Sequence, residues 1–206
     1  YRKLMVTYSK QGPARFLGHL ELANVFIRAV RRARIAVKYS EGFHPKPRLS
    51  FDDPLPIGME SLQEKLFITV PTSVVCQELV AQLNGQLPEG VSIVECAPFK
   101  GKPADKRAQQ ATYRMTLPAG ASFDPQKLQA FERRAEFKIL RSGPKRKTKK
   151  IDLKQVMVAI KRVDPYILEM TVRLEPGKMV RPYEVASAVF GLPEETLKRA
   201  RIVKLA

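Results

Sequence analysis

Two short stretches concentrate the residue types that do acid-base and anion chemistry. The first, residues 8–22, carries Tyr8, Lys10, Arg15 and His19 around Gly12, Pro13 and Gly18. The second, residues 39–51, carries Tyr39, Phe43, His44, Lys46 and Arg48 around Gly42, Pro45 and Pro47. His19 and His44 are the only histidines in the chain, and imidazole is the side chain that most readily moves a proton near neutral pH. Helped by Tyr8, Tyr39 or Lys46, they would suit attack of a ribose 2′-hydroxyl on its own phosphate, which needs proton transfer and charge neutralisation. The alternative chemistry is binding. Lys10 and Arg15 flank a glycine-bounded loop that leads into a helix N-terminus, a natural phosphate receiver. Phe43 beside His44, Lys46 and Arg48 would suit base stacking. Each residue also has a structural reading: His19 as a packed or capping residue, His44 as an ordering residue of a proline-stiffened loop, Phe43 and Phe51 as plugs beneath it.

The remaining chemistry is thin. Cys76 and Cys96 lie twenty residues apart, outside any CxxC pair, and read as buried thiols of a cytosolic protein. No HExxH, Cys/His cluster, Asp-rich loop, Walker-type loop or GxGxxG is present, so neither a metal nor a cofactor is expected. No run of about 18 uncharged apolar residues exists and the N-terminus lacks a signal-peptide core, which predicts a soluble, cytoplasmic protein with no membrane partner.

Charge points to a polyanion. The 206 residues carry 37 Lys+Arg against 20 Asp+Glu, a net +17, and such a surface attracts nucleic acid. The excess is uneven: +9 over residues 1–50, −5 over 51–100 and +13 over 101–206. The densest stretch, Lys138 to Arg162, includes Lys145, Arg146, Lys147, Lys149 and Lys150.

The elements that must position these residues follow from hydrophobic period. Leu4, Val6 and Tyr8 alternate as a strand, Leu20 to Val30 repeat as a helix to about Arg34, and Ile35, Val37 and Tyr39 alternate as a second strand. A third strand is expected over 64–70, a helix from Pro71-Thr72-Ser73 to about Leu87 and a fourth strand over 91–96. The connection over 41–63 is too long for mere joining and reads as a functional loop. A polar linker, 99–111, separates this domain, 1–98, from a second over 112–206 with the same element order and a basic loop at 141–150. There Asp124-Pro125 opens a helix, Phe137 to Leu140 reads as a strand, and Ile151 to Lys161 is either strand or short helix. A strand at 167–174, a helix from Pro182 to Gly191 and a strand at 201–205 complete it. The order β-α-β-β-α-β, twice, predicts an α+β protein of two tandem ferredoxin-like domains with antiparallel sheets.

Four motifs carry a family resemblance: Tyr-Ser-Lys-x-Gly-Pro-x-Arg-Phe-Leu-x-His-Leu-x-Leu at 8–22, Tyr-Ser-x-Gly-Phe-His-Pro-x-Pro at 39–47, Leu-Pro-Ile-Gly-Met-Glu-Ser at 55–61 and Arg-Pro-x-Glu-Val at 181–185. Together they resemble the radical SAM-linked protein family, a bacterial domain of unknown function. The resemblance implies partnership with a radical SAM protein, often one with a B12-binding region, encoded beside or fused to it. It also implies an RNA-related genetic setting, near ribonuclease G and ribosomal-protein genes. A radical SAM cluster needs three closely spaced cysteines, and two isolated ones cannot ligate it. The expected role is therefore accessory: an RNA-binding protein presenting tRNA or rRNA to a partner enzyme. Its contacts would be Lys10, Arg15, His19, Phe43, His44, Lys46, Arg48, Lys145, Arg146, Lys147, Lys149 and Lys150. Two alternatives stand beside it. One is a metal-independent endoribonuclease using His19 or His44, resembling the CRISPR repeat-processing enzymes in architecture alone. The other is a protein-protein adaptor docking through Asp52, Asp53, Glu60 and Glu64.

Overall fold

The structure is a computed structural model that describes residues 1–52, 55–99, 101, 110–142, 148–175 and 177–205. It is of mixed α+β class, and the chain divides into two compact units, Tyr1–Lys102 and Pro103–Ala206.

In the first unit, β1 (Arg2–Lys10) is the central ladder strand, antiparallel to both β3 (Met59–Val70) and β4 (Val91–Pro98), while β2 (Leu49–Phe51) pairs with the other edge of β3. The order is β4-β1-β3-β2. A short 3-10 turn, Gly12–Phe16, leads into α1 (His19–Arg32), and α2 (Cys76–Asn84) precedes β4. The helix α1 turns Leu22, Phe26, Ala29 and Val30 inward, a helical spacing, onto Leu4, Val6, Tyr8, Leu66, Ile68 and Val70 of the strands. It ends in a six-residue Schellman closure: Ile35 N–H reaches Val30 C=O at 3.2 Å and Arg34 N–H reaches Arg31 C=O at 3.1 Å. Arg34 takes the left-handed position, φ 52°, that this closure demands.

Three expectations for this unit change. Ile35 and Val37 are buried as their alternation predicts, but they do not form the second strand. The edge of β3 is occupied instead by Leu49–Phe51, and the 35–38 segment holds on only through contacts such as Lys38 N–H to Thr69 C=O, 2.8 Å. The supposed loop over 41–63 therefore contains β2 and the start of β3, leaving two shorter connections. The helix α2 begins at Cys76, after a turn closed by Val74 N–H on Pro71 C=O, so Thr72 and Ser73 do not cap it.

In the second unit β5 (Gln110–Thr116), β8 (Met157–Arg162), β9 (Ile167–Arg173) and β10 (Arg201–Lys204) form antiparallel pairs in the order β10-β5-β9-β8. Its helices are α3 (Pro125–Arg133), α4 (Leu153–Val156), α5 (Pro182–Phe190) and α6 (Glu194–Arg199). Asp124 caps α3 by accepting from Gln126 N–H at 2.8 Å, with Pro125 at the first helical position, as the sequence predicts. Gly191 closes α5 with φ 64°. The ambiguous 151–161 stretch resolves into the end of a strand, the single turn α4 and β8. The basic loop is in part a hairpin, β6 (Lys138–Ser142) with β7 (Thr148–Asp152), separate from the main pairing. The core gathers Met115, Phe123, Leu153, Leu168, Met170, Val185 and Phe190, with Phe123 edge-on to Phe190 at 4.9 Å between centroids. Among the described residues no helix is long and apolar enough to cross a membrane.

Candidate nucleic-acid interface

Strand period decides the fate of the first cluster. Lys10 continues the face of Leu4, Val6 and Tyr8, and Glu64 continues the face of Leu66, Ile68 and Val70. Tyr8 and Glu64 are register partners across β1 and β3, and a bulge follows before Lys10 meets Ser61. Both charged side chains are consequently carried into the end of the core, Lys10 1% exposed and Glu64 4%, and Glu60 past the bulge is 1% exposed as well. The Lys10 ammonium donates to Leu17 C=O at 2.7 Å, Ser61 Oγ donates to Glu64 Oε1 at 2.7 Å, and Arg15 Nη1 meets Glu60 Oε1 at 3.2 Å. Burial lowers the Lys10 pKa, while Glu64 and Glu21 pull the other way. Burial, then the charge of Glu64, raises that of Tyr8. Lys10 therefore cannot touch a phosphate; it fixes the backbone of the segment that leads into α1. Of the carboxylates expected on an adaptor surface, Glu60 and Glu64 lie inside the unit for the same reason; Asp52 is half-buried and Asp53 lies outside the described residues.

This buried pairing joins motifs that are far apart in sequence. Gly58 N–H donates to Arg15 C=O at 2.9 Å, which lays the 55–61 motif against the 8–22 motif. Above it Arg15 stacks its guanidinium on Phe16, 4.7 Å from the ring centroid. His19 is exposed and sits edge-on to Phe51 at 5.5 Å, while Phe51 also meets Tyr8 at 6.3 Å and Phe26 at 5.7 Å. Phe51 is thus a core plug, and His19 rests on its rim. No residue spacing foretells these contacts, although the period of β1 and β3 does foretell the buried Lys10 and Glu64.

The second stretch forms a different structure. A bridge between Tyr39 and Pro47, Ser40 N–H on Lys46 C=O at 2.8 Å and Lys46 N–H on Ser40 Oγ at 3.0 Å close a loop over 39–47. This loop leaves β2 at the Leu49 end, whereas Phe51, with His19, lies at the other end. Gly42 takes φ 116°, open only to glycine, at the tip. Phe43 beside it is 101% exposed, and His44, Lys46 and Arg48 are exposed too. The expectation of Phe43 as a plug fails: it packs on nothing, because its neighbours turn the chain outward.

In the second unit, Lys145, Arg146 and Lys147 lie outside the described residues. Arg141 and Lys149 are cross-strand partners on the hairpin. Arg141 forms a two-pronged pair with Glu184, Nε to Oε1 at 2.7 Å and Nη2 to Oε2, while Lys149 bonds Gly177 C=O. Glu184 also accepts from Arg181 N–H at 2.7 Å and so ties the hairpin to the start of α5. The 181–185 motif is thereby a structural clamp: Pro182 opens the helix, Glu184 holds Arg141 and Val185 enters the core. Lys150, opposite Leu140, is exposed with it.

Among the described residues no group of three or more His, Cys, Asp or Glu is placed to hold a metal ion. No curated protein matches the chain. A family model described as "Uncharacterized protein conserved in bacteria (DUF2344)" matches residues 3–182, which spans most of the chain, and the protein belongs to that bacterial family.

Proposed function

We propose that this is a non-catalytic, cytoplasmic RNA-binding accessory protein, built from two tandem ferredoxin-like domains, that presents tRNA or rRNA to a partner radical SAM modification enzyme. The strand orders β4-β1-β3-β2 and β10-β5-β9-β8, with the hairpin and α4 inserted in the second unit, support the fold reading. The likeness of the four motifs to the radical SAM-linked family supports the partner.

The observation that carries the binding reading is the loop over 39–47: a fully exposed phenyl ring on a closed, glycine-tipped turn, flanked by exposed His44, Lys46 and Arg48. A ring left entirely in water, on a backbone that hydrogen bonds hold in place, suits an unpaired base that stacks on it, with the cations taking the adjacent phosphates. Arg15, His19 and Lys150 add half-buried or exposed positive or titratable groups. Lys10 drops out of the contact set and Lys149 is engaged within its own unit. Nucleolytic chemistry has less support, since Tyr8, one of its expected helpers, is buried.

Filter binding of total tRNA and rRNA fragments across a salt series tests the proposal. Engagement of about five phosphates gives a log-log slope of roughly −3.5 for single-stranded sites, with the RNA recovered intact. Binding no tighter than that of a charge-matched control protein would overturn it.

A further inference from the structure

We propose that Cys76 and Cys96 are a redox-responsive pair that closes to an intramolecular disulfide tying α2 to β4. The two residues are twenty positions apart, yet their sulfurs lie 2.9 Å apart, with the Cys96 thiol donating to Cys76 Sγ. Both are free and half-buried, rather than the separate buried thiols their spacing suggests. Cys76 is the first residue of α2 and Cys96 lies in β4 opposite Val6 of β1. The two elements are already locked together. Leu79 and Leu83 of α2 are fully buried, and the Asn84 amide bonds both backbone groups of Ile93, at 2.7 and 3.2 Å. A bond of about 2.05 Å between sulfurs already 2.9 Å apart asks them to close by less than about 1 Å.

The order of events follows from the surroundings. Burial first, then the contact with Cys76, pushes the Cys96 thiol up to about 12, against the weaker opposite pull of the Arg2 guanidinium, which is anchored on Val74 C=O at 2.5 Å. Cys96 thus holds its proton, which leaves Cys76, the first residue of α2, as the sulfur that reacts first. With a low-molecular-weight disulfide as oxidant, Cys76 attacks one sulfur, forming a mixed disulfide and releasing one thiol. Capping Cys76 removes the thiol contact that helped to raise Cys96, and Cys96, giving up its proton as it attacks Cys76 Sγ, forms the internal bond and releases the second thiol. Two electrons pass from the cysteine pair to the oxidant, and the two cysteine protons end on the two released thiols. The pair acts independently of the RNA reading.

The test treats the full chain with oxidised glutathione under anaerobic conditions, with non-reducing peptide mapping by mass spectrometry. The expected product has lost two hydrogens and carries a Cys76–Cys96 cross-linked peptide. Its ratio to glutathione adduct should be at least about tenfold higher for the folded chain than in urea, since folding holds the sulfurs together. The cross-linked chain should melt at a higher temperature than the reduced one. The Cys96→Ser variant should stop at the adduct on Cys76, and the Cys76→Ser variant should react slowly; Ala variants repeat the comparison if a Ser variant fails to fold. Stable adducts without the internal bond in the wild-type chain, dimers linked between molecules, or an equal ratio in urea would overturn the proposal.

Discussion

Phe43 and Tyr8 show how the same residue class is put to opposite uses. Phe43 stands in water at a loop tip, so Phe43→Ala removes no packing and should leave the melting temperature unchanged. It should nonetheless weaken RNA binding by roughly tenfold or more, the usual cost of losing one stacked base; a thermal melt checks the first effect and titration of a single-stranded RNA loop the second, and unchanged affinity would remove Phe43 from the site. Tyr8 is buried against Phe26 and Phe51 beside Glu64, and its pKa is raised above the ordinary 10.0, by burial first and then by the carboxylate. In the unfolded chain the hydroxyl ionises near its ordinary value, while the folded chain keeps the proton. The folded state therefore binds more protons above pH 10, and the Tyr8 contribution, complete below that point, is lost as pH rises beyond it. Urea unfolding from about pH 9 to about pH 11 should show wild type losing stability relative to Tyr8→Phe by about 1.4 kcal/mol per unit above pH 10. Parallel curves would mean that Tyr8 titrates normally.

At the scale of elements, two backbone positions decide how neighbouring segments meet. Gly90 leads from α2 into β4 with φ 85°, and a side chain there would place its first carbon 2.2 Å from Gln11 C=O, the residue whose N–H bonds Gly90 C=O at 2.7 Å. Gly90→Ala should cost about 2 kcal/mol or more through left-handed strain and this clash, seen as a lowered urea midpoint. Arg34 presents the reverse case, an arginine in a left-handed position that glycine occupies without strain. Arg34→Gly should stabilise the protein by about 1 kcal/mol, and a loss of stability there would show that the arginine side chain holds a contact of its own. The elements themselves were mostly legible in the sequence, because α1, β1, β3, α3, α5 and β9 each carry enough turns or alternations for period to identify them. The strand β2 was not, since three residues between prolines and acids give no period, and the alternation of Ile35, Val37 and Tyr39 offered a competing strand.

At the scale of the molecule, the +17 charge sets how binding responds to salt. Lys46→Gln or Arg48→Gln should each reduce the magnitude of the salt slope by about 0.7, one phosphate contact apiece, whereas Phe43→Ala should lower affinity at every salt concentration with the slope unchanged. A slope that ignores both cations would place the phosphate path elsewhere on the protein. The amino-acid sequence by itself determined the α+β class, the basic excess and the concentration of chemistry-bearing residues in two stretches, because each of these is a local pattern or a sum. Tertiary structure decided which charges face water. Lys10, Glu60 and Glu64 look like surface groups and are buried through strand parity and pairing, while Phe43 looks like a core residue and is exposed through a turn. It also decided that Cys76 touches Cys96 and that Arg141 clasps Glu184, since contacts between residues distant in the chain depend on register and packing, which no local period encodes.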